Sequence, residues 1–174
     1  MIRLEPVGND SPRLPALLDL YRSAFPANER RPLETLLDDE SGAGEVLAAL
    51  DGEAFIGLAI LLTHGDLTHI LYFAVPPALR GQGYGSRILE AVRARHPGNR
   101  VLADVEAPEP NAPNLAERQR RIDFYARNGY ALTDIFYRWE GEAYNVMSAG
   151  GPVSGAEFGA FWRYFYSLNA GYDY

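Results

Sequence analysis

Apolar positions recur along this chain in two rhythms. From residue 14 to 25, Leu14, Leu17, Leu18, Tyr21 and Phe25 fall three or four apart, the spacing of one helix face. Pro15 is tolerated in a first turn and Pro26 ends the run. Residues 31–38 read as a second short helix, led by Pro32. Residues 45–50 and 53–62 read as strands joined across Asp51-Gly52, a favoured hairpin turn. A third, antiparallel strand, 67–75, follows the Gly65-Asp66 turn. The rhythm then changes to a helix over 84–95, stopped by Pro97-Gly98. Residues 100–106 alternate as a strand, 108–113 form a proline-rich loop, and 115–128 form a helix closed by Gly129. A strand pair, 130–139 and 143–148, precedes a last helix over 154–168 and a loose tail, 169–174. Strands, helix, strand, helix and strands in this order predict a mixed α/β (α+β) sheet.

Composition narrows the class. At 174 residues the chain fits one domain, 1–174, whose core needs no staple. A 47% hydrophobic and 22% charged composition is that of a globular protein and not of a disordered one. No apolar run reaches the roughly 18 residues of a membrane span, and the N-terminal residues lack a signal-peptide core. Cysteine is absent, which removes disulfides, thiolate zinc sites and a cysteine nucleophile, and fits a cytoplasmic protein. His64, His69 and His96 lack metal-ligand spacing, so no metal is expected. A net charge of −7 argues against nucleic-acid binding. An acidic surface suits a cationic amine, and it suits solubility equally well.

The chemistry concentrates at residues 75–85, Val-Pro-Pro-Ala-Leu-Arg-Gly-Gln-Gly-Tyr-Gly, between a strand pattern and a helix pattern. A glycine-spaced loop there offers unpaired N–H groups at a helix N-terminus, which favour a phosphate. Arg80 adds a formal charge. The donors would come from Gly81, Gln82, Gly83, Tyr84, Gly85 and Ser86. A P-loop is closed off, because it needs a lysine and all 16 basic residues here are arginine. A dinucleotide fingerprint fits poorly: Ser86 stands at the third glycine position and Pro76-Pro77 separates strand from loop. Asp104 imitates the ribose-binding acid, so a Rossmann-type nucleotide-binding protein stays as an alternative.

Read as Arg80-x-x-Gly83-x-Gly85, the loop resembles the acyl-CoA signature of the GCN5-related N-acetyltransferases, the GNAT superfamily. Its setting matches as well: an apolar strand ending Phe73-Ala74-Val75, a proline, the loop, then an amphipathic helix. Further on, Phe124-Tyr125-Ala126-Arg127-Asn128-Gly129-Tyr130 resembles the segment that ends that family's second cofactor-contacting helix. The resemblance covers residues 46–148. It implies the acyl-CoA N-acyltransferase fold, a mostly antiparallel central sheet splayed at the cofactor cleft with helices on its flanks.

It also implies an activity: acetyl transfer from acetyl-CoA to a primary amine, of a small molecule or of a peptide or protein, by direct attack in a ternary complex. The main-chain groups of Phe73, Ala74 and Val75 would bind the pantetheine arm, with a backbone N–H aimed at the thioester oxygen. The tyrosine matching Tyr125 is a frequent general acid for the departing thiolate; a phenol is protonated at neutral pH and can donate. Arg118 stands where the family often carries a cofactor-touching asparagine. An ammonium must lose a proton before it attacks. Glu106, just past the strand 101–105, is the leading base, with Asp104, His69 or a water as the other choices. Glu29 meets a cationic amine or pairs with Arg31. The aromatic stretch 158–166 packs on its own sheet, walls the acceptor pocket, or makes a homodimer contact. A non-catalytic acyl-CoA-binding regulatory domain is the second alternative.

Overall fold

Leu47 to Leu50 and Leu58 to Leu62 are buried at every position, which a sheet shows only where both of its faces are covered. In the computed structural model, which describes residues 1–37 and 41–168, these runs are β2 (Gly44–Asp51) and β3 (Ala54–His64). They pair antiparallel across Asp51-Gly52, as the hairpin signal predicts, with a register shift at Ala49/Leu50. β4 (Leu67–Ala74) ends one residue before the expected Val75. The chain opens with β1 (Ile2–Pro6), antiparallel to β2, where no element was expected. Its half-buried pattern carries too few apolar positions to declare a strand, and the partner supplies the reason it forms.

α1 (Leu14–Ala24) and α3 (Tyr84–Arg95) bear out their apolar spacing, burying Leu17, Leu20 and Tyr21 from the first and Ile88, Leu89 and Val92 from the second. The predicted helix over 31–38 is shorter, α2 (Glu34–Leu37), and the last residue of that expectation lies outside the described residues. A 3-10 turn, Pro77–Leu79, precedes α3. β5 (Arg100–Glu106) and α4 (Leu115–Arg127) fall where the pattern puts them. β6 (Ala131–Trp139), β7 (Glu142–Ala149) and α5 (Gly155–Leu168) complete the order. The expected tail, 169–174, lies outside the described residues.

The seven strands form one sheet in the order β1-β2-β3-β4-β5-β7-β6. The β1–β2, β2–β3, β5–β7 and β6–β7 pairs are antiparallel. By internal contacts the chain divides into two units: residues 1–63 with 70–97, and residues 64–69 with the described chain from Gly98 onward. Among the described residues, no helix is long and apolar enough to cross a membrane.

Candidate functional site

The first unit holds the anion-binding features. Gly83 is the N-cap of α3 and has φ of 82°, and Gly81 has φ of 75°, a left-handed region that side-chain-bearing residues rarely enter. A Cβ at either glycine would meet no protein atom within 4 Å, so backbone conformation and not packing demands them. No side chain caps α3, which leaves the first-turn N–H groups of Tyr84, Gly85 and Ser86 pointing out of the helix. Gly81, Gln82 and Gly83 are exposed beside them. Arg80 folds back through its Nε, which donates to the Val75 carbonyl at 3.2 Å, and the exposed guanidinium stays at the loop. Gln82 donates to the Ala78 carbonyl at 3.1 Å, pinning the turn. Uncapped donors, two left-handed glycines and a neighbouring guanidinium fit a pyrophosphate. Phe73 and Ala74 close β4 and Val75 lies just beyond it, its carbonyl taken by Arg80.

The same unit fixes the loop after α1 through two tyrosines that sequence reasoning passed over. The Tyr72 hydroxyl donates to the Glu29 carbonyl at 2.7 Å, and the Tyr21 hydroxyl donates to the Arg31 carbonyl at 2.9 Å. The Arg31 N–H donates to both hydroxyls at 3.0 Å. Burial, with the Tyr72 hydroxyl as neighbour, pushes the Tyr21 phenol well above the ordinary range. The two rings meet edge to face at 4.9 Å, with Phe25 against Tyr72. Tyr72 carried no signal beyond its place in a strand pattern, because its partners lie far off in sequence.

The second unit positions the proposed proton donor. α4 ends in a Schellman motif: Gly129 (φ 86°) donates to the Ala126 carbonyl at 3.1 Å, and Tyr130 donates to the Tyr125 carbonyl at 3.1 Å. The apolar contact that accompanies this motif is the Tyr125–Tyr130 ring pair, 5.2 Å between centroids, with Phe124 5.3 Å from Tyr125 on the other side. The Phe124–Tyr130 sequence pattern is therefore a helix stop that clamps one tyrosine. Tyr125 is buried. Burial pushes its phenol upward; Arg121 opposes this and the Asp104 charge adds to it. A raised phenol keeps its proton throughout the physiological range.

The strand-end carboxylates are held in different ways. The Glu106 Oε2 lies 3.6 Å from the Arg118 Nε and 3.9 Å from the Arg121 Nη1, and accepts from the Asn114 amide at 3.4 Å. Arg118 is 5% exposed and spends its donors inside the protein, on Asn114 at 2.7 Å, the Ala107 carbonyl at 3.0 Å and Glu142 at 2.8 Å. This ties α4 to the end of β5 and the start of β7. Among the described residues, Asp104 makes no ion pair with an arginine. Its Oδ2 sits 2.9 Å from the His69 Nε2 and accepts from the Tyr137 hydroxyl at 2.8 Å, while its Oδ1 is buried with no hydrogen-bond partner among the described residues. Of the residues expected to bear chemistry, the second unit brings Asp104 and His69 together, joined by Tyr137, which sequence reasoning missed, and leaves Glu106 among guanidinium groups.

Known proteins share this fold. A solved GNAT-family protein from Bacteroides thetaiotaomicron matches over 98% of this chain and 99% of its own, at 24% identity and a TM-score of 0.79. A GNAT family acetyltransferase from Elizabethkingia anophelis, crystallised with acetyl-CoA bound, matches over 85% of this chain and 97% of its own at 17% identity and a TM-score of 0.56. The ribosomal-protein-S18-alanine N-acetyltransferase of Escherichia coli matches over 89% and 97% at 18% identity and a TM-score of 0.59. At these identities the likeness is one of fold. No curated protein sequence matches the chain at a significant level. The family model described as Acetyltransferase (GNAT) family matches residues 14–130, a span that takes in both the α3 loop and the Schellman-closed end of α4, and on that match the chain belongs to the GNAT acetyltransferase family.

Proposed function

We propose that this protein transfers the acetyl group of acetyl-CoA to a primary amine by direct attack in a ternary complex. The observation that carries the reading is the uncapped N-terminus of α3, where Gly81 and Gly83 hold left-handed backbone and Arg80 stands alongside. The N–H groups from Gly81 to Ser86 bind the pyrophosphate, and Arg80 adds the one side-chain charge that the loop offers. Main-chain groups of Phe73, Ala74 and Val75 run along the pantetheine arm. Acetyl-CoA supplies an activated acyl thioester. Tyr125 holds the proton that the leaving sulfur takes, since its buried phenol stays protonated. The relative crystallised with acetyl-CoA and the relative named as an alanine N-acetyltransferase support the cofactor and the amine class. A chain without cysteine, carrying a net charge of −7, fits cytoplasmic work on a cationic acceptor without nucleic acid.

Calorimetric titration of acetyl-CoA into the wild-type protein and a Gly83→Glu variant tests the reading. The glutamate adds a negative charge where the pyrophosphate sits and forces a side chain onto φ of 82°. Micromolar binding by the wild type, lost in the variant, is the expected result. A folded wild-type protein that does not bind acetyl-CoA at millimolar concentration overturns it.

A further inference from the structure

We propose that the outer edge of β6 is the contact surface of a homodimer, in which two copies pair this strand antiparallel about a two-fold axis at Phe136. This pairing does not depend on acetyl transfer.

The seven-stranded sheet ends in β6, which pairs with β7 on one side only. An open strand edge offers a row of N–H and C=O groups to another strand, and natural chains shield such edges by shortness, proline or charge. The other terminal strand, β1, is shielded in this way. It is five residues long and ends at Pro6, and its charges pair at home, Arg3 with Glu5 at 3.2 Å and Glu5 with Arg13 at 3.6 Å. β6 runs nine residues without a proline. Against β7 it holds regular register from Phe136 to Trp139, after a shift between Leu132 and Phe136. Its two charges, Asp134 and Arg138, are opposite in sign, so they attract a second copy instead of repelling it.

Exposure alternates along this half of the strand. Asp134, Phe136 and Arg138 face solvent, Ile135 is buried, and Tyr137 and Trp139 are half-buried. Phe136 and Leu132 are each 55% exposed, an apolar surface that a covering strand would remove from water. The exposed order of acid, ring and base is its own complement when reversed. Antiparallel pairing centred on Phe136 sets ring against ring and places an aspartate–arginine pair on either side. Side chains directly opposite in such a ladder have Cβ atoms about 4.5–5.5 Å apart, close enough for both contacts. Charge also fixes the register. Centring the pair two residues earlier would set Asp134 on itself, and two residues later Arg138 on itself.

The arginine is held in place for this contact. Its Nη2 lies 2.8 Å from Glu109 Oε1, and its guanidinium stands 6.0 Å from the Phe136 ring centroid. With five donors and an exposed side chain, it can keep Glu109 and still meet an aspartate from the second copy. A two-fold contact of this kind closes with two copies and uses up the β6 edge. The aromatic stretch 158–166 is the poorer surface for a dimer: Phe161 and Phe165 are buried, and Phe158 and Trp162 pack on His69.

Sedimentation equilibrium of the full chain at about 100 µM tests the pairing. Wild type should have about twice its 19.3 kDa mass. Asp134→Arg and Arg138→Asp should each weaken association by at least about tenfold, because like charges then face each other. Combining the two substitutions should restore it to within about threefold of wild type. Phe136→Glu should leave a monomer. The three side chains are exposed, so far-UV circular dichroism of each variant should match wild type. The chain has no cysteine, so one introduced thiol reports the register without background. Phe136→Cys should give a disulfide-linked dimer on oxidation with diamide, since facing Cα atoms lie about 4.5–5.5 Å apart, within disulfide reach. Leu132→Cys should not, because its two copies would stand roughly 27 Å apart along the paired strands. A monomeric wild type, which would leave the edge to a strand of a different protein, overturns the proposal. So does a dimer that Asp134→Arg leaves intact, or one that Leu132→Cys cross-links as readily as Phe136→Cys.

Discussion

Gly57 lies inside β3 at a point where a Cβ would come within 2.6 Å of the Ala74 carbonyl oxygen and 3.0 Å of the Ile88 Cδ1. One contact is the last residue of β4 and the other is the buried face of α3, so this glycine sets the distance between the strand end and the helix that flank the phosphate loop. Gly57→Ala should lower stability by about 1–3 kcal/mol through overpacking, read by urea unfolding. Acetyl-CoA affinity should fall along with it. The sequence carries half of this message. A glycine inside a strand pattern announces a close backbone approach, but not to what. The glycines of the loop were more legible, because their role depends on neighbours a few positions away. Asp104 was the reverse case. Its partners sit on β4 and β6, and no local pattern joins His69, Asp104 and Tyr137. Arg118 and Arg121, on a different element, were likewise invisible in sequence as neighbours of Glu106.

At the scale of elements, helix ends were the most readable features, since their chemistry is local. Ser154 and Glu157 form a capping box at the start of α5: the Ser154 N–H donates to Glu157 Oε2 at 2.8 Å, and the Glu157 N–H donates to the Ser154 hydroxyl oxygen at 3.2 Å. The Ser154 backbone and hydroxyl, with the Arg100 guanidinium, hold the Glu157 carboxyl down to about 2 from an ordinary 4.5. Because the folded value lies below the unfolded one, the stabilisation is complete above pH 4.5 and disappears as pH falls toward about 2. Thermal melts across that window should show a steeper acid loss for wild type than for Glu157→Gln. Ser154→Ala should lower Tm by about 2–4 °C at neutral pH. Arg100 also bonds Asp66 at 2.8 Å and the Pro152 carbonyl at 2.8 Å, so the cap is tied to the β3–β4 turn. β1 escaped the sequence reading for the opposite reason. Five residues of mixed polarity become a strand only when β2 presents an open edge, which is a tertiary fact.

Over the whole molecule, order carried more information than any single motif. An apolar strand, a glycine loop, a helix and a second helix closed by Gly-Tyr pointed to the family, and the family model matches across that stretch. The acceptor was not legible, because the side chains that face it come from elements scattered along the chain and fold alone does not select a substrate. The ring cluster over His69 supplies an optical route to that question. The chain has two tryptophans, Trp139 and Trp162, and the second meets His69 edge to face at 5.2 Å. An excited indole responds to charge at its edge, so an ammonium bound at Asp104, 2.9 Å from the His69 Nε2, should shift its emission. In a Trp139→Phe background, Trp162 becomes the single emitter, and titrating candidate amines against the acetyl-CoA-loaded protein should change its fluorescence only for those that reach this carboxylate. The helix that covers His69 thus carries a built-in lamp, and amines can be sorted by light before any of them is shown to react.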